Sequence, residues 1–464
     1  MGATAVPLAS PPMSRPVADR ALGVMTWGLA FHMAAIAVLN GPLQLPVGLV
    51  RLLAAWKEAA IALLVVAMAA RLLRQRERFA PAICDVAAVS LVLVVMMRSG
   101  LDWLLFGIPP VSPMAAYGAR DLLVPFVVYG IGRLTPEVLD HPALMRRMAA
   151  VALVTAALGF VERLLPIEAL VVAGVPAYYR DFLNVEGMTN PAFYGLPHSY
   201  FTDLGNEAFR RAGSVFLSGQ SFAIALMLVL PAVQLRAMES PGGARAGRWM
   251  VFALVWVALL LTVTRMTIVA CAVQALLLLQ LTGRTVAVGA LATLRALCLA
   301  GGTIARSAVR EFIWRTLSFE TQSSISHTAD WTEGMVALWE HPLGAGLATA
   351  DLTAARFGRE PLTADNLLFK YAVELGWPGL MAFVVFFAML LVAGVQLARR
   401  TTGHARSGAL LTVTVTVGIL INGATAVVIS MPFLAYVWAW LAGATVARHS
   451  QRHAHTSPLP RSGR

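Results

Sequence analysis

Charge is what this sequence lacks. Only 13% of its 464 residues are Asp, Glu, Lys or Arg, while 58% are hydrophobic, and mean hydropathy is +0.72. A soluble domain carries roughly a quarter charged residues. So small a polar complement cannot clothe a soluble globule, and the solvent of most of this chain is lipid. Cysteine is scarce too: Cys84, Cys271 and Cys298 are the only three. They lie in or beside apolar runs without CxxC spacing, which argues against a disulfide framework or zinc site and reads as small apolar packing. The net charge of +12 comes with no aromatic-basic surface motif, which argues against a nucleic-acid partner. Barrel strands would be shorter and would alternate, so helices must cross the membrane.

What is present is a series of apolar runs, each of about 17–23 residues and able to cross roughly 30 Å of hydrocarbon as helix. They predict an all-α, polytopic transmembrane bundle of about twelve helices. The spans fall at 21–39, 54–73, 80–99, 118–134, 145–165, 214–236, 249–264, 266–283, 286–303, 376–398, 408–429 and 431–447. The span at 286–303 is short and carries Arg295. Residues 1–20 read as a disordered cytoplasmic tail before a retained first span, 21–447 as the bundle, and 448–464 as a basic cytoplasmic tail.

Basic residues set the expected orientation. Arg74, Arg76 and Arg78, Arg133 with Arg146 and Arg147, Arg236 with Arg245 and Arg248, then Arg284, Arg399, Arg400 and Arg406 all fall in loops of one side. The positive-inside rule makes that side cytoplasmic, with both termini. Two long loops, 166–213 and 304–375, then face outward. Loops this long are functional or disordered, and their Trp, Tyr, Phe and Pro argue for order. The second contains a helical stretch at 327–340, whose Trp331, Met335, Leu338 and Trp339 share one face.

Charged residues at the outer ends are the candidates for chemistry. Arg265 lies between two apolar runs, and Arg210 and Arg211 precede the sixth span, all against the positive-inside bias. Each reads either as an interfacial anchor or as a diphosphate clamp, since guanidinium binds phosphate oxygens in bidentate fashion. Arg120, beside Asp121, and Lys57, beside Glu58, open outer helix ends and read the same way. Asp365 begins a short amphipathic helix that stops at Gly376, before Pro378. It reads as an N-cap or as a general base. Ahead of it, Pro342-Leu-Gly-Ala-Gly346 allows a tight turn.

The order of these features resembles the bacterial O-antigen ligase and polysaccharide polymerase superfamily. It runs from Arg211-Ala-Gly-Ser-Val-Phe through Thr264-Arg265 and a long loop with Pro342–Gly346. It ends in Asn366-Leu-Leu and Glu374-Leu-Gly-Trp-Pro-Gly-Leu380. The resemblance rests on motifs over residues 200–395. It implies a glycosyltransferase of the bacterial inner membrane that moves an undecaprenyl-diphosphate-linked glycan onto an acceptor glycan, without metal or other cofactor. A surface-polysaccharide polymerase is the leading form, with an O-antigen ligase as its alternative. It implies Arg211 and Arg265 against the diphosphate, to which Arg120 is added as a candidate from its outer-end position, and a chain-length regulator or flippase as partner protein beside membrane lipid. The family's histidine before Asn366 is Asp365 here. The resemblance therefore leaves base catalysis to Asp365, or to His327 or His198 if Asp365 only caps the helix. From another class, a secondary transporter or glycan flippase also fits the helix count, but the charges cluster at helix ends and no repeat is visible.

Overall fold

In the computed structural model the described residues are 15–75, 81–107, 112–185, 189–204, 207–239, 243–284, 322–363 and 365–456. The long elements are α1 (Arg15–Asn40), α2 (Val47–Ala54), α3 (Trp56–Gln75), α4 (Ile83–Phe106), α5 (Pro113–Arg133) and α6 (Ala143–Leu164). Then come α7 (Gly219–Met238), α8 (Ala244–Leu261), α9 (Arg265–Leu281), α10 (Gln322–Glu340), a short α11 (Asp351–Arg356), α12 (Leu367–Arg400), α13 (Gly403–Asn422) and α14 (Pro432–Thr456). Among the described residues, nine helical stretches are long and apolar enough to cross a membrane, and α9 is a shorter apolar one. The chain is a multi-pass membrane protein with an all-α fold. Every expected span falls on a helix except that at 286–303, which lies outside the described residues, as do Cys298, Arg76 and Arg78.

Burial ranks the helices. Within its most apolar window α7 is 89% buried, against 22% for α8 and for the α2–α3 stretch, so α7 lies at the bundle's axis and α8 and α2–α3 at its rim. A helix apolar on every side, as α7 is, can occupy such an axis. α5 and α14 touch backbone to backbone: a Cβ on Gly132 would lie 2.1 Å from the Trp440 carbonyl, and one on Gly443 would lie 2.0 Å from that of Tyr129. Small residues are what permits such an approach in lipid.

The basic loops meet at one end. Arg71 donates to the Leu134 carbonyl, Arg284 to that of Met238, and Arg406 to that of Leu281. Nearby, Arg133 grips Asp85 through Nε and Nη2 at 2.8 and 2.7 Å, tying α5 to α4.

The described parts of the two long loops gather at the opposite end. The described parts of the segment between α6 and α7 contain strands that hydropathy did not predict. β1 (Thr189–Asn190) pairs antiparallel with β2 (Leu196–Pro197), and β3 (Phe201–Leu204) with β4 (Glu207–Arg210), with Phe201 opposite Arg210. Its core of Tyr178, Tyr179, Leu196 and Tyr200 packs on Ile36 of α1 and Val50 of α2. In the second loop, α10 packs on α12, but its expected apolar face is only partly covered. Leu338 is buried, while Trp331, Met335 and Trp339 stay exposed.

Candidate functional site

A backbone clasp builds the floor of the site. Gly344 and Gly346 take φ of +96° and +120°, and Gly376 breaks α12 with φ +69°. The Ala345 N–H donates to the Val373 carbonyl at 2.7 Å, and the Trp377 N–H to that of Pro342 at 2.9 Å. A Cβ on Gly344 would sit 2.5 Å from the Glu374 carbonyl, and one on Gly376 would sit 2.3 Å from that of Pro342. The two glycine motifs are thus halves of one contact. It is pinned to α4 by a buried Arg98–Asp102 pair: Arg98 donates to the Leu343 carbonyl, and Asp102 accepts from the Leu347 N–H.

Arg211 and Arg265 lie at the same end. β4 delivers Arg211, whose N–H donates to the Tyr200 carbonyl. Its Nε donates to the Thr262 carbonyl and its Nη2 to Thr264 Oγ1, both at 2.6 Å. The side chain lies against Gly219, where a Cβ would approach its Nε to 2.7 Å. Thr264 is the N-cap residue of α9 and Arg265 its first residue. Burial, then the charge of Arg265, lowers Arg211 to about 10. The turn before α7 is fixed by Glu162, which accepts from the N–H groups of Gly213 and Ser214.

Asp365 does not cap α12. Asn366 does: its Oδ1 accepts from the Phe369 N–H at 3.0 Å, while its Nδ2 donates to the Ala424 carbonyl at 3.0 Å. The same carbonyl accepts from Trp331 Nε1 at 2.8 Å, which moors α10 beside the start of α12. That mooring brings His327 and Asp330 to Asp365, with ligand-type atoms of all three within 4.8 Å of one another. His327 Nδ1 lies 3.9 Å from Asp330 Oδ2. Desolvation lowers the pKa of His327, and Arg265 lowers it further, against the pull of Asp330. The Asp365 side chain reaches solvent from a recess. Desolvation there, then the Asp330 and Asp351 carboxylates, raises it to about 6. By ligand type the three residues could hold a divalent cation, but the nearby guanidinium of Arg265 opposes one.

Asp365 also lines a cavity of about 570 Å3 that reaches into the bundle past Tyr117, Arg120, Gln220, Asp351 and Arg356. Below it lies a buried charge cluster that hydropathy did not reveal. Lys370 Nζ meets Asp351 Oδ2 at 2.9 Å and Glu374 Oε1 at 3.0 Å.

Residues 250–384 match the family described as O-antigen ligase. That segment of the chain is similar to the O-antigen ligase family. No curated protein matches it. The matched segment runs from α8 to the middle of α12, so Arg265, the His327–Asp330–Asp365 group and the whole glycine clasp lie inside this ligase-type domain. Arg211, Arg120 and Lys57 lie outside it and reach the same end through the fold.

The remaining sequence candidates separate. Arg210 turns away from the Arg211–Arg265 turn and donates from Nη2 to the carbonyls of Glu162, Arg163 and Leu165, closing the end of α6. His198 is exposed on a 3-10 turn and does not join the His327 group. Arg120 is shared by Asp121 at 3.1 Å and Glu58 at 3.6 Å, and lies over the Tyr117 ring. Lys57 donates to the Ala54 carbonyl and faces Glu58 at 3.3 Å. Both line the cavity and not the Arg211–Arg265 turn. Asp330 escaped the sequence reading, although its spacing from His327, three residues on one helix, put them on one face.

Proposed function

We propose that this chain acts as a member of the O-antigen ligase and polymerase superfamily and transfers a glycan from a polyprenyl diphosphate carrier to an acceptor sugar hydroxyl at the outer face of the bacterial inner membrane. The observation that carries the reading is convergence. Two arginines from separate elements and a carboxylate with a raised pKa gather at one end of the bundle, where a lipid-linked headgroup would lie. The prenyl tail stays in lipid. Arg211 and Arg265 hold the diphosphate in place of metal. The bond between the donor's anomeric carbon and the diphosphate oxygen breaks, and both electrons leave with the carrier. Fixed cations aimed at that growing charge stabilise the transition state. The acceptor oxygen bonds to the anomeric carbon, and its proton passes to Asp365. His327, held near neutral by its surroundings and paired with Asp330, orients the acceptor hydroxyl.

The acceptor is the end of another lipid-linked repeat, which makes the enzyme a polymerase. The ligase reading is favoured by the description of the matched family. Deletion of the chain separates the two. A polymerase deletion leaves single repeats on the carrier. A ligase deletion leaves long chains on the carrier that never reach their final acceptor. Normal glycans in the deletion strain would remove both.

A further inference from the structure

The charges that line the cavity beside Asp365 are equal in number but unevenly paired: Arg51, Lys57, Arg120 and Arg356 face Glu58, Asp121, Asp351 and Asp365. Its carboxylates other than Asp365 already have cations: Glu58 meets Lys57 and Arg120, Asp121 meets Arg120, and Asp351 meets Lys370. Two further cations, Arg51 of α2 and Arg356 of α11, line the same cavity, and neither forms an ion pair with a carboxylate among the described residues. The Arg356 guanidinium rests 5.0 Å from the centre of the Tyr117 ring. Its surroundings are costly for a cation: burial, then the charge of Arg51, lowers it to about 10. Taking a guanidinium out of water without an anion is unfavourable, and an arriving anion relieves it. The Tyr117 ring also lines the wall, between the guanidinium groups of Arg120 and Arg356. A cavity of about 570 Å3 also suits one or two sugar rings.

We propose that this cavity is the acceptor subsite for a sugar bearing a carboxylate, with Arg356 and Arg51 holding the carboxylate. The inference rests on the glycan-transfer reading and names the substrate class of its acceptor. An acidic sugar seated there would bring a free hydroxyl toward Asp365, which lines the same cavity. Neutral sugars would leave the two arginines uncompensated and bind less well.

The test uses the full-length chain in nanodiscs of phosphatidylcholine. The probes are a glucuronate-terminated disaccharide and its glucose-terminated counterpart, titrated at low salt. We expect the acidic probe to bind about ten-fold tighter, the effect of one charge-assisted contact. Arg356→Gln should bring the ratio near one. Arg356→Lys, which keeps the charge and guards against a folding artefact, should keep part of it. Equal binding of the two probes, or an unchanged ratio in a folded Arg356→Gln protein, would overturn the subsite. A third arm adds phosphatidylglycerol. If that lipid is retained by the wild type but not by Arg356→Gln, and the acidic disaccharide cannot displace it, the anion is a lipid headgroup and the subsite is overturned. Transfer from a lipid-linked donor is assayed on the same preparation. A clear acidic preference without transfer would sink the transferase reading and leave the anionic-sugar site standing.

Discussion

Asp365 stands where the superfamily resemblance leads one to look for histidine, and its neighbours show how a carboxylate can serve there. With Asn366 occupied as the cap, the Asp365 side chain has no structural duty at the helix end. Its pKa of about 6 suits a base working near neutral pH. A base must be ionised, so transfer should fall as pH drops through about 6 and level off above it. In Asp365→Asn, transfer should fall about 10²–10⁴-fold and the acid limb of the pH profile should vanish. An unchanged limb in that variant would move the base to His327. The arginines make a separate prediction. Arg211→Ala or Arg265→Ala should lower transfer about 10²–10³-fold with normal membrane expression, and lysine should restore only part, because it lacks the bidentate fork. Full transfer by Arg265→Ala would rule out the diphosphate clamp.

The decisive element is the glycine clasp between the 342–346 turn and the break in α12. Both sides use left-handed backbone, and neither leaves room for a Cβ. Gly344→Ala and Gly376→Ala should each destabilise the protein by more than about 2 kcal/mol, read as a lower melting temperature in detergent. A melting temperature unchanged by Gly376→Ala would show that the contact does not hold the site together. Composition hinted at this clasp, since glycine in an apolar run asks for a reason. That the two motifs bind each other could not be read from either.

For the whole molecule, the arrangement separates a basic end from a loop end. The positive-inside rule assigns the first to the cytoplasm. Single cysteines at Tyr194 or Arg359, in a background without the native cysteines, should react with an impermeant reagent added to intact cells. Cysteines at Ala246 or Thr402 should not. Labelling of the second pair would invert the orientation and with it the proposed side of the reaction.

Hydropathy by itself determined the fold class, because a span must satisfy its backbone internally and so announces itself as an apolar run of fixed length. Charge position determined which loops share an end, and the arginine contacts among Met238, Leu281 and Leu134 agree. Arg211, Arg265 and Asp365 were also legible as candidates, because a charge at the outer end of an apolar helix is costly enough to stand out. Only the tertiary structure decided which of them meet. Arg210 and Arg211 are adjacent and equally basic, yet the last residue of β4 is aimed at the end of α6 and the residue after it at the α8–α9 turn. Local sequence cannot distinguish them, because a strand sends successive side chains to opposite faces and the neighbours on each face come from distant segments. The Lys370 cluster was hidden for a similar reason. A lysine four residues before a glutamate looks like an ordinary surface pair until Asp351, brought in from another loop, buries it.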